Sequence, residues 1–162
     1  MKAFLIVLFA LSISFCSDDN DESNGTNNFT GITYTNEIGE MVGNIDSTDW
    51  KLFVVHRPGI SVPPNAPNIS QPHPAYPNPT TSVVSCPIDI GENSILTMVV
   101  KNNQGKILQN LYNHQQFGVG FYDVQVDLVS YENGVYRIEY ELVVGSKVYK
   151  SFGDVEVRKM EK

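Results

Sequence analysis

Chemistry-bearing residues are scarce in this chain, and each scarcity removes a class of function. Only two cysteines, Cys16 and Cys86, occur in 162 residues, too few for the disulfide framework of a small secreted domain. The three histidines, His56, His73 and His114, lie far apart. With no His-x-x-x-His and no Cys-x-x-Cys, no metal site is expected. An Asn20-Glu22-Asn24-Gly25 run has the spacing of a calcium loop, but Gly31 occupies the twelfth position, where a bidentate Glu is required. There is no Gly-x-Ser-x-Gly and no phosphate-binding glycine loop. Glu139 and Glu141 share one face of a predicted strand, yet the alternation there makes that face solvated. No converging set of nucleophile, base and charge-stabilising donors is found, so the chain is read as non-enzymatic, without cofactors. Cys86, inside Val83–Pro87, reads as a small buried hydrophobe rather than a nucleophile. Basic residues are also few, 11 against 18 acidic for a formal charge of −7, and such a surface repels nucleic acid.

Long apolar runs are absent except at the start, where Lys2 precedes the stretch Ala3 to Phe15. As a helix this run spans only about 20 Å, short of the roughly 30 Å hydrocarbon core of a bilayer. Residues 1–15 are therefore read as an export signal. Bulky Phe15, Cys16 and an abrupt acidic stretch follow, and Ile13-Ser14-Phe15-Cys16 resembles a bacterial lipoprotein signal. That resemblance implies lipidation of Cys16 and partnership with the membrane, since acyl chains insert at about 0.8 kcal/mol per buried CH₂. The competing reading is an ordinary secretory signal, under which a Cys16–Cys86 bridge becomes available. Ser17 to Glu22 resembles the acidic surface-export tag of Bacteroidota-type lipoproteins, or else is a solvated spacer. Residues 16–28 as a whole hold almost nothing apolar and read as a disordered tether.

The remainder divides by composition. Residues 29–57 read as a short β segment, with Ile32, Tyr34, Ile38, Met41, Val42 and Ile45 punctuated by glycines, then the strand-like run Trp50–Val55. Trp50 reads as a core anchor, with a sugar-stacking platform as the alternative. Eight of the nine prolines fall between Pro58 and Pro79. Proline fixes φ and removes a donor, so residues 58–79 are expected to form an extended linker, with His73 exposed within it. Beyond Thr80 the strand candidates are Thr81–Ile88, Ser94–Asn102, Lys106–Tyr112, Gly120–Leu128, Gly134–Val144, Lys147–Phe152 and Asp154–Arg158. Tyr122, Val124, Val126 and Leu128 alternate with polar residues, as do Tyr136, Ile138, Tyr140, Leu142 and Val144 against Arg137, Glu139, Glu141 and Val143. Tyr136 and Tyr140 are thereby assigned to the core. Turns are signalled at Asn103-Gln104-Gly105, Glu132-Asn133-Gly134 and Gly145-Ser146. The expected fold is all-β: a small antiparallel immunoglobulin-like sandwich of about seven strands over residues 80–162.

Tyr76-Pro77-Asn78-Pro79-Thr80, then Leu96–Val100 with Gly105-Lys106-Ile107-Leu108, then Gly134-Val135-Tyr136-Arg137-Ile138 resemble the C-terminal sorting domain of the type IX secretion system. The related immunoglobulin-like domain of flagellar hook-capping proteins is similar. The resemblance implies a sandwich that carries cargo through the outer membrane, and secretion or envelope-assembly proteins as partners. It makes Tyr76, Pro77, Asn78, Pro79, Gly105, Gly134, Val135 and Tyr136 the motif residues. Two readings stand level: true sorting cargo, and a cell-envelope lipoprotein of the outer membrane, exposed at the cell surface, that keeps the sandwich as a docking module. A third reading is a surface carbohydrate-binding or adhesive module, with Tyr112 and Tyr131 near strand ends as its contact surface and a glycan as its partner.

Overall fold

The computed structural model describes residues 29, 31–51 and 66–160, so Cys16, the export signal and the acidic tether lie outside it. Among the described residues seven strands form two antiparallel sheets, and no helix occurs. One sheet has the order β1 (Gln71–Pro72), β2 (Val83–Ile90), β5 (Gly120–Asp127). The other has the order β4 (Ile107–Phe117), β3 (Ser94–Lys101), β6 (Gly134–Val144), β7 (Lys147–Val157). The all-β sandwich expected from the alternation is thus present.

The core forms where the inward residues of both sheets meet. Val84, Cys86, Ile88 and Ile90 of β2 and Val124 and Val126 of β5 are buried with Leu96, Met98 and Val100 of β3 and Ile138, Tyr140, Leu142 and Val144 of β6. Burial of each large aliphatic side chain contributes about 1.5–3 kcal/mol, which is why period-two segments settle with this register and not one residue displaced. Cys86 has no exposed surface, and burial pushes its thiol up to about 12, so it is inert at neutral pH. Tyr140 is buried as assigned, whereas Tyr136 is only half-buried at the sandwich edge.

Three sequence expectations need correction. Lys147–Phe152 and Asp154–Arg158 are one continuous strand, β7. Gly153, read as a break, is a point of close approach: a Cβ there would run into the Trp50 ring. The second half of the proline-rich stretch is not a free linker either. Gln71 and Pro72 pair with Asp89 and Ile88, Ala75 and Asn78 are fully buried, and His73 is half-buried, 2.9 Å from Asp89. Pro72 is tolerated because β1 is an edge strand, where a missing donor costs little. Finally, among the described residues, positions 31–51 form isolated bridges, Thr35 to Met41 and Thr35 to Asn78, rather than strands. Leu52 to Asn65 are outside the description, including the strand expected at Leu52–Val55.

Candidate functional site

Two of the motif fragments, far apart in sequence, meet at the end of β7: Asn78 with Thr80 on one edge and Gly134 to Tyr136 on the other. Tyr76 pairs with Ser85 through two backbone bonds of 2.8 and 2.7 Å, which ties the turn to β2. Both X–Pro bonds, Tyr76–Pro77 and Asn78–Pro79, are cis. Asn78 then points into the protein with no exposed surface. Its Nδ2 donates to the Thr33 and Asp154 carbonyls at 2.9 and 3.0 Å, and its Oδ1 accepts from the Glu156 amide at 2.9 Å. A buried amide is tolerated only when so satisfied. One side chain thus ties the N-terminal segment to β7. Thr80 continues the contact: its amide donates to Glu156 O at 2.9 Å and its carbonyl accepts from the Arg158 amide at 2.8 Å, a parallel bridge to Val157.

On the opposite edge of β7, Gly134, Val135 and Tyr136 pair with Val157, Glu156 and Val155. The first and last motif fragments therefore clasp the same three-residue stretch from both sides. The loop before β6 extends the clasp, since Asn133 Oδ1 accepts from the Lys159 amide at 2.7 Å and its Nδ2 donates to the Lys159 carbonyl at 3.2 Å. Gly105 lies in the β3–β4 turn with φ near 77°, a left-handed conformation that glycine adopts without a Cβ penalty.

The outer face of β6 and β7 carries a buried charge cluster that the sequence reading misses. Arg137, assigned to the solvated face, is buried at 8% exposure. Its Nε and Nη2 donate to Asp154 Oδ1 and Oδ2, both at 2.8 Å, and its guanidinium lies 4.0 Å from the Phe152 ring centroid and 5.3 Å from that of Phe29. The Asp154 hydrogen bonds push the Arg137 pKa up, so the guanidinium keeps its charge. Asp49 supplies a second carboxylate. Its Oδ2 accepts from the Thr33 amide at 3.2 Å, and burial, reinforced by the charges of Asp154 and Asp46, pushes its pKa up to about 7. Next to it, Trp50 reaches over Gly153, meets Tyr140 edge-on at 6.2 Å, and donates its backbone amide to Phe152 O at 2.7 Å. Trp50 is a core anchor; its indole is spent on packing.

Tyr112 and Tyr131 do not share one surface. Tyr112 meets Phe117 edge-on at 5.1 Å, and Phe117 in turn meets Tyr122 at 4.8 Å. Tyr131 instead meets Tyr136 edge-on at 5.0 Å. The two tyrosines belong to separate half-buried clusters. The Tyr131–Tyr136 pair lines an open cleft of about 590 Å³ between the turns at Asn102–Gln104 and Ser130–Gly134, immediately beside the clasp on Lys159. Among the described residues, no group of three His, Cys, Asp or Glu side chains is placed to hold a metal ion.

The arrangement is one of structural capture: a strand end held from both edges. A family model described as "Secretion system C-terminal sorting domain" matches residues 74–152. No curated protein and no solved structure matches the chain.

Proposed function

We propose, from the match of residues 74–152 to the secretion system C-terminal sorting domain, that this protein is a non-enzymatic cell-envelope lipoprotein whose sandwich serves as a sorting, assembly or docking module of the type IX secretion kind. That match supports a secreted or cell-envelope protein with a sorting role. The finer assignments, an outer-membrane location, surface exposure and a lipid on Cys16, come from the sequence and are our own reading. So is partnership with secretion or envelope-assembly proteins. The observation that carries the sorting role is the convergence of the Tyr76–Thr80 and Gly134–Tyr136 fragments on the end of β7. Residues so far apart in sequence are placed to present one strand end in a set conformation, which is what a receptor that reads folded cargo requires.

Export of the full chain should be compared in a bacterium that has the secretion system and in an isogenic strain lacking it, with accessibility to external protease as the readout. Surface exposure is expected only in the first strain. Asn78→Ala, which removes three side-chain bonds at the clasp, should reduce exposure while leaving the protein in the envelope. Equal exposure in both strains would sink the sorting role. Cys16→Ala should release the protein from membranes, and unchanged membrane fractionation would overturn the lipid anchor.

A further inference from the structure

The cleft beside the β7 clasp brings amide, hydroxyl and tyrosine side chains together. Its walls are Asn102, Asn103, Gln104 and Leu108 on one side and Ser130 to Tyr136 on the other, with Glu132 the only charged residue in the lining. The two aromatic rings in it are held in place. Tyr131 Oη donates to Gln109 Oε1 at 3.2 Å, Tyr136 Oη donates to Glu132 O at 3.0 Å, and the rings fix each other edge to face. The polar wall is organised too: Asn102 Oδ1 accepts from the amides of Gln104 and Lys106 at 3.0 and 2.9 Å. Rings and walls are set before any ligand arrives, so little ordering entropy remains to be lost on binding.

We infer that this cleft is a binding site for a neutral glycan. Tyrosine faces carry the negative lobe of the ring quadrupole and attract the partly positive C–H faces of a sugar ring. The Asn103 amide, the Ser130 hydroxyl and the Glu132 carboxylate line the same cleft and offer both donors and acceptors to sugar hydroxyls. The volume, about 590 Å³, suits a small ligand. Anionic sugars are disfavoured, because Glu132 stands without a basic residue in the lining and the whole chain is acidic. Sugar binding and sorting share the Asn133–Tyr136 wall, but Asn103, Ser130 and Tyr131 belong to the cleft alone, so variants there test sugar binding separately from export.

The test is titration of the ¹⁵N-labelled full chain with hexasaccharides of β-1,4-glucose, of β-1,4-N-acetylglucosamine and of β-1,4-mannose, followed by amide chemical shifts. At least one is expected to give saturable shifts confined to residues 102–104 and 130–136. Asn103→Ala combined with Ser130→Ala alters exposed side chains only and should weaken binding by about tenfold or more with the rest of the spectrum unchanged. Tyr131→Ala should abolish it. Failure of all three sugars to give saturable shifts, or full affinity in the Asn103/Ser130 double variant, overturns the assignment, whatever the outcome of the export experiment.

Discussion

The two outermost strands of the four-stranded sheet, β4 and β7, are held in opposite ways. β4 pairs only with β3, and its register slips at three places, so that eleven residues lie along the eight of β3. Most of its side chains are exposed. It carries no Lys, Arg, Asp, Glu or Pro, the usual devices against edge-to-edge pairing, and the bulges take their place by twisting the edge. β7 instead pairs without a slip along its whole length with β6, and its other edge is closed by Trp50, Asn78 and Thr80. One edge is protected by irregularity, the other by capture. The captured edge is also where the Tyr76–Thr80 and Gly134–Tyr136 fragments converge, which makes β7 the strand held most firmly from both sides.

That contrast can be broken most severely at the buried ion pair. Asp154→Ala leaves Arg137 buried without its bidentate partner and should cost about 3–5 kcal/mol, read by denaturant unfolding. A loss below 1 kcal/mol would mean that Asp49 takes over the guanidinium. Gly153→Ala is next. The new methyl meets the Trp50 ring, and overpacking should cost about 1–3 kcal/mol, with lost protection from hydrogen exchange at Asp49 to Lys51 ahead of the sandwich core.

The pH dependence sharpens the comparison further. Asp49 has a folded pKa of about 7 against an ordinary 3.8, so the folded state holds its proton more tightly than the unfolded chain. Its contribution to stability is full below about pH 4, declines as pH rises, and is lost once pH passes about 7. Asp49→Asn should flatten that part of the profile of melting temperature against pH. In Asp154→Ala the effect should shrink but persist, since burial is the larger cause and the Asp154 charge the second. The smallest effect belongs to β4: Gln115→Lys, exposed on the bulged edge, should change stability by no more than about 0.5 kcal/mol. A large change there would show that β4 is as tightly held as β7.

Much of the sandwich was legible because period-two alternation maps directly onto two faces. Val124, Val126 and Leu128 are buried where alternation put them, as are Ile138, Tyr140, Leu142 and Val144. Arg137 broke the pattern because its face is covered by Phe29 and by Phe152 and Asp154 of β7, a contact that no local pattern encodes. Gly153 carried a signal, a glycine inside an otherwise continuous strand, which reads equally as a break or as a close approach. Only the arrival of Trp50, about a hundred residues earlier in the chain, decides between them.

The sequence by itself determined the class of fold, the strand spacing, the placement of turns at Gly105, Gly134 and Gly145, and the family resemblance, because each depends on residues close together in the chain. It also made Cys86 inert by setting it in a core-facing register. The tertiary structure alone decided that residues 70–79 of the proline-rich stretch pack as part of the sandwich, that Asn78 is a buried tie rather than a turn residue, and that two distant motif fragments meet on one strand. These depend on backbone donors and acceptors of β7 that have no partner within their own sheet edge. A buried polar group must find one somewhere, and the chain satisfies them with segments from far along its length.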